Sequence, residues 1–433
     1  MSQCPRLLLI DMTPMVGAAA TSALKRAYFG DWPRNALLHL YCPEAGVIGL
    51  GLARGKTWIA PSPGALEDII RSFDPQVILY RPVAEQPQLH EFAMGLAFSM
   101  RAPLALWLMD DWPARLEEAD PAVFARMDAD LRRLFRRSSF NLAISDKMSA
   151  AFERRYGAAF AVARGGVDME RWPIRKRRHD DVIHLRYAGS LAPDMTRSSV
   201  LDIAQSVARL SARGEHVALD IRTMPHWLEV YGELFMGLAG VTISPSNMSE
   251  AAYRQWLCDA DIVVAAYNFD AASQRYTQYS FANKTPELLA SGAAVLAYGP
   301  SVLETISILS QSGAAIHVDR RSPEDLDQAI ATLLGDDDLR ARLGARGREA
   351  ASRLHRISDQ REMVRRRLSD LARRAGAPDT SGVRPLDRIL DRHGELHVNS
   401  RPIRRFATAI AIRFPGLSRA FRSVKRRLRG GRP

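Results

Sequence analysis

Short apolar runs rich in β-branched and small residues alternate with helix-length amphipathic segments along most of the 433 residues. That alternation restricts the chain to parallel sheets joined by crossover helices, an α/β architecture. A first series of strands is predicted at 6–10, 36–41, 77–80, 104–108 and 140–144. A second follows the charged loop 173–181, with strands at 183–187, 217–221, 241–244, 262–266, 294–297 and 315–317. The chain is too long for one growing hydrophobic core, so the two series read as two domains, 1–175 and 176–374. Helices are predicted over 323–334, where Asp325 supports the N-terminal dipole, and over 337–354.

Composition narrows the class further. The formal charge is +12, but residues 375–433 hold 14 Arg and Lys against 4 Asp and Glu, so the two domains carry the near-balanced charge of an ordinary enzyme. Cys4, Cys42 and Cys258 offer neither a disulfide framework nor the paired spacing of a zinc site, and fit a reducing cytoplasm. The opening MSQCPRLLLIDM has no basic start or cleavage pattern and reads as a first strand. No stretch reaches the roughly 20 apolar residues that a spanning helix needs, so any membrane contact is peripheral.

After a Gly, Pro, Ser and Thr-rich linker at 375–385, Ile403, Phe406, Ile410, Phe414, Leu417, Phe421 and Val424 recur every three or four residues among basic side chains, with Pro415 splitting the pattern. Such a tail, 401–429, suits an anionic membrane surface, where each basic residue contributes on the order of 1 kcal/mol. A solvated extension and nucleic-acid binding are the alternatives; a nucleic-acid partner is not expected.

The most informative segment is 280–300, SFANKTPELLASGAAVLAYGP. Lys284 ends a loop, Pro286 opens a short helix, and Glu287 lies in its first turn, at the carboxyl end of a parallel sheet where ligands bind in such folds. Taken alone, Lys284 reads as a solvated lysine and Glu287 as a carboxylate serving the helix dipole. The alternative is a nucleotide-sugar site, with Lys284 and free amides facing a diphosphate and Glu287 accepting from ribose hydroxyls. Gly189 and Ser190, at the turn after the first strand of the second domain, offer backbone to the same ligand, or form an ordinary turn. Asp110 and Asp111 end a strand, where they could orient hydroxyls or cap the next helix. Because consecutive strand residues point to opposite faces, they do not make a metal site, and no metal is expected. Gly17 lies in the first strand-to-helix loop.

These pieces occur in a recognisable order: ALWLMDDWP, FNLAISDKM, RGGVDMERW, YAGSL, CDADIVVAAY, NKTPELLASGAAVLAYGP and SPEDLDQAIATLLGDDDLRARLGARGREAA. Together they resemble the retaining GT-B glycosyltransferases, in particular family 4 and its relatives in bacterial surface-polysaccharide synthesis. The resemblance implies two Rossmann-like domains facing across a cleft, a helix over 362–374 returning to the first domain, and transfer from a nucleotide-sugar donor to a glycan or lipid-linked acceptor. It implies that Glu287 binds the donor ribose, that Lys284 contacts phosphate, that Gly17 belongs to a loop meeting donor and acceptor, and that no cofactor is needed beyond the donor itself. A lipid-linked acceptor would give attachment of a cytoplasmic protein, through its basic tail, to the inner face of the plasma membrane a purpose.

Three positions depart from the family pattern. Tyr279 stands where a second glutamate is usual, Ser190 replaces an arginine after the glycine turn, and Met109 replaces a histidine. Arg222 and Arg197 are the candidate substitutes for the missing cation. The departures keep two other readings open: a nucleotide-sugar epimerase on the same scaffold, and a polysaccharide-assembly subunit without turnover.

Overall fold

The computed structural model describes residues 4–17, 20–51, 57–59, 62–175, 181–376, 389 and 395–397, so the basic stretch 401–429 lies outside the described residues. The first sheet contains β1 (Leu7–Ile10), β2 (Leu37–Glu44), β3 (Val47–Gly51), β4 (Thr57–Ile59), β5 (Val77–Tyr80), β6 (Leu104–Leu108), β7 (Phe140–Ala143) and β8 (Ala161–Val162). Its order is β4-β3-β2-β1-β5-β6-β7-β8, parallel from β2 to β8. The runs LLLI, VILY and LALWL are buried along their whole length because helices cover both faces, which is why they read as continuous apolar strings.

The second sheet contains β9 (Ile183–Ala188), β10 (Val217–Thr223), β11 (Val241–Pro245), β12 (Ile262–Ala266), β13 (Ala294–Tyr298) and β14 (Ala315–Val318). Every pairing is parallel and the order is β11-β10-β9-β12-β13-β14, the order of a dinucleotide-binding fold. All eleven predicted strands are present, within a few residues at their ends. The sequence reading missed the antiparallel edge of the first sheet, where β3 and β4 continue from β2 and a late strand, β15 (Glu395–His397), pairs with β4.

The reversal of strand order between β9 and β12 opens a crevice at their carboxyl ends. Buried Asn268, just past β12, spans it. Its Nδ2 donates to the Pro193 carbonyl at 2.9 Å, and its Oδ1 accepts from the Ser198 hydroxyl at 2.7 Å.

Two segments cross between the domains. The chain leaves the first domain through Gly165 and Gly166, and Val167 pairs with the start of the helix Ile357–Arg374: the Val167 amide donates to the His355 carbonyl at 2.8 Å, and the Ile357 amide donates to the Val167 carbonyl at 3.1 Å. That helix returns to the first domain. Val364, Leu368 and Ala372 enter the first core, Arg361 Nε donates to the Ala27 carbonyl at 2.7 Å, and Arg365 pairs with Asp31 at 2.8 Å. The helix expected over 362–374 thus begins five residues earlier, at Ile357.

Candidate functional site

A cavity of about 690 Å³ lies between the domains. Gly17 and the helix Ala20–Phe29 wall it on one side, the linker Gly165–Asp168 runs along it, and Ser246, Tyr253, Arg254, Lys284 and Glu287 face it from the second domain. Gly17 has a φ of 149°, which side-chain-bearing residues rarely adopt. Its carbonyl accepts from Arg26 Nη1 at 3.0 Å, while Arg26 Nη2 reaches across the cleft to Glu250 at 3.4 Å.

The short helix Thr285–Ala290 forms because Pro286 fits its first turn, where no amide partner is lost, and it ends before Gly292 at a positive φ of 76°. Its start brings Lys284 and Glu287 to the cavity, and a tyrosine joins them. Lys284 Nζ donates to the Tyr253 hydroxyl at 3.2 Å, and that hydroxyl donates to Glu287 Oε2 at 3.1 Å. Lys284 Nζ also sits 4.6 Å from the centre of the Tyr253 ring. Burial raises the pKa of Glu287, against the opposing pull of Lys284 and the tyrosine hydrogen bond. Glu287 is half-buried and lines the cavity, where a ligand can reach it.

The other sequence candidates are distributed differently. Gly189 and Ser190 follow β9 but do not line the cavity. A Cβ on Gly189 would fall 2.4 Å from the Tyr187 hydroxyl, which donates to the Ser190 carbonyl at 2.6 Å, so the glycine is required by a neighbouring side chain. Arg222 pairs with Asp220 at 3.1 Å, and Arg197 lies over the Tyr231 ring at 4.7 Å; neither lines the cavity.

Asp110 and Asp111 lie past the end of β6 and have separate partners. Asp111 has a fully buried side chain, accepts from the Ala114 amide at 3.3 Å as the cap of the helix Trp112–Ala119, and is gripped by Arg155. Asp110 is 31% exposed and pairs with Arg81 Nη2 at 3.0 Å. Arg81 in turn holds buried Asp11 at 3.1 Å, and Lys25 holds the other oxygen of Asp11 at 2.6 Å. Burial opposes the charge of Asp11, but Arg81 and Lys25 outweigh it and hold its pKa at about 2. Met109 is buried in the first core. Tyr279 packs against that core while its carbonyl accepts from the Ser145 hydroxyl at 2.5 Å, so its side chain belongs to the seam between domains.

Tyr253, Arg254 and Ser246 are site residues the sequence reading did not single out. The one signal available was their position just before and within the helix Glu250–Cys258, capped by Ser249, on the loop that follows β11. Among the described residues, no group of three or more His, Cys, Asp or Glu side chains is gathered as a metal ion would need, and no helix is long and apolar enough to cross a membrane.

Residues 215–363 match the family model described as glycosyl transferase-like. No curated protein sequence matches the chain. Among solved structures, it is similar to sucrose-phosphate synthase from Thermosynechococcus elongatus, with a TM-score of 0.60 at 10% identity over 84% of this chain and 98% of that one. It is similar to Anabaena HepE in complex with UDP-glucose, with a TM-score of 0.59 at 12% identity over 84% and 99%. WaaG, a glycosyltransferase involved in lipopolysaccharide biosynthesis, gives a TM-score of 0.53 at 11% identity over 84% and 99%. The chain therefore has the two-domain GT-B fold of glycosyltransferases, and its second domain carries a glycosyl transferase-like segment.

Proposed function

We propose that this protein transfers a sugar from a nucleotide-sugar donor to a hydroxyl of a glycan or lipid-linked acceptor, with retention of anomeric configuration, in the synthesis of a surface polysaccharide or glycoconjugate. The observation that carries the reading is the Lys284–Tyr253–Glu287 group at the start of a helix, facing a cavity between two GT-B domains. Glu287 accepts from the donor ribose, and Lys284 with nearby backbone amides supplies positive charge toward the diphosphate. Gly17 and Asp110, on the first domain, serve the acceptor side. The departing diphosphate takes the acceptor proton on the same face, so no enzyme nucleophile is needed, and the protein acts by positioning and charge stabilisation. The UDP-glucose bound to the similar Anabaena HepE supports the donor class. The basic stretch 401–429 would hold the protein at the inner face of the plasma membrane, beside a lipid-linked acceptor.

The test is ligand-detected binding of a nucleotide-sugar panel to the intact protein and to folded Glu287→Ala and Lys284→Ala variants, followed by a transfer assay with the donor that binds. Selective binding that both variants weaken supports the assignment. Folded protein that binds no nucleotide sugar overturns it, and release of free epimerised donor replaces transfer with epimerisation.

A further inference from the structure

Tyr253 is built into the site more firmly than a lining residue needs to be. It stands on the helix Glu250–Cys258, one turn before Trp256, and the two rings stack at 6.2 Å with an interplanar angle of 25°. Trp256 is itself fixed, since its Nε1 donates to Asp220 at 2.8 Å, and Asp220 is paired with Arg222. The Tyr253 ring therefore rests on an anchored indole while the Lys284 ammonium sits 4.6 Å from the ring centre.

Its hydroxyl has one proton to donate. That proton goes to Glu287 Oε2, and the oxygen's acceptor capacity is used by Lys284 Nζ. The phenol thus separates the cation from the anion. Without it, Lys284 would be free to close directly onto Glu287 and occupy the carboxylate as an ion pair.

We propose that Tyr253 is a positioning residue of the donor site: its hydroxyl takes one oxygen of Glu287, keeps Lys284 off the carboxylate, and leaves the second oxygen to the vicinal diol of a ribonucleotide. The inference rests on the reading of Glu287 as the ribose acceptor. It also gives Lys284 a role in orienting the carboxylate through the tyrosine hydroxyl. The charged and titratable groups near Glu287 are Lys284 at its own helix start, Tyr253, Arg254 and Glu250 on the adjacent helix, and Asp168, Arg171, Arg26 and Arg361, which line the same cavity.

The experiment compares UDP and its 2′,3′-dideoxy analogue as probes on wild type, Tyr253→Phe, Glu287→Gln and Glu287→Ala, each checked for an unchanged melting temperature and measured from pH 5 to 8. Tyr253→Phe keeps the ring and its stacking, so a structural role alone leaves affinity intact. The expected result is about a tenfold loss of UDP affinity, the value of one hydrogen bond to a charged group, with little further loss on removing the diol hydroxyls. Its acid limb moves to higher pH, because Glu287 has lost a donor to its charged form. If wild type binds UDP, Glu287→Ala weakens it and Tyr253→Phe binds as wild type at every pH, the positioning role is overturned while the ribose reading stands. If wild type binds UDP and its dideoxy analogue equally, or binds no ribonucleoside diphosphate at all, the ribose reading fails and the inference falls with it.

Discussion

Arg155 forks onto Asp111 from the last turn of the helix Asp146–Tyr156, Nη1 to Oδ1 at 2.8 Å and Nη2 to Oδ2 at 3.2 Å. The same carboxylate caps the next helix through the Ala114 amide, so both of its duties are structural. Asp111→Ala removes a cap and two charge-assisted hydrogen bonds while leaving Arg155 part-exposed to solvent, which limits the penalty on the remaining charge. The expected cost is about 3 kcal/mol of unfolding free energy. Urea titration checks it, and donor affinity measured well below the unfolding transition should match wild type. A large loss of affinity in the folded variant would move Asp111 into the site.

Asp110 predicts the opposite pattern. It is part-exposed at the end of β6 and tied to the buried Asp11–Lys25 pair only through Arg81. Asp110→Asn keeps the side chain's size and hydrogen-bonding reach, so stability should change by less than about 1 kcal/mol. If its charge orients a reacting hydroxyl, kcat/KM falls by about tenfold or more. Steady-state transfer kinetics beside a thermal melt separate the two effects, and unchanged kinetics would remove Asp110 from the reaction.

The seam between domains is equally specific. A Cβ on Gly166 would lie 2.7 Å from the His355 carbonyl and 3.0 Å from the Ile357 amide, both backbone atoms of the segment that Val167 pairs with. Neither can turn aside as a side-chain tip would. Gly166→Ala should therefore loosen the Val167–Ile357 bridge, costing about 2 kcal/mol, within the range for overpacking. Because this bridge also sets how the cavity wall at Gly165–Val167 meets Ile357, donor affinity should fall with it. Calorimetry and donor titration check the pair of effects; a Gly166→Ala protein as stable as wild type would show that the seam can shift.

Much of this architecture was legible in the sequence because the physics is local. Runs such as LLLI at 7–10 and LALWL at 104–108 are continuous because both faces of their strands are buried, and Pro286 marks a helix start wherever it falls. The edge strands β3 and β4 were not legible: VIGLG is short and glycine-interrupted, and only Ala45–Gly46, with Gly46 at a φ of 76°, hinted at the hairpin. Asp110 and Asp111 look alike in the sequence, and what divides them is Arg155, 44 positions from Asp111, against Arg81, 29 positions from Asp110. Tyr253 was missed for the same reason. Its partners lie 31 and 34 residues away on another element, and no local period points to them.

Two buried histidines should contribute strongly to the response to acid. His39 lies in the first core beside Lys25, and His355 is stacked on Phe281 at 5.7 Å where the linker meets the returning helix. Burial, aided by nearby Lys25 for one and Arg164 for the other, lowers their pKa values to about 3 and about 4, from the usual imidazole value near 6.5. The unfolded imidazoles take up protons as pH falls through 6.5, while the native ones stay neutral until about 4 or below. Across that window the unfolded chain binds more protons, so unfolding free energy falls with pH and is fully retained above 6.5. Each histidine should remove on the order of 3 kcal/mol by pH 4. In unfolding free energies measured at intervals from pH 7 to 4.5, these two histidines should therefore contribute up to about two protons to the slope, and His355→Gln should reduce the slope by about one. Asp11, held at about 2, acts in a separate and lower window, so it cannot mimic the effect. An unaltered slope in His355→Gln would mean that His355 is protonated in the native protein and that the seam around it admits water.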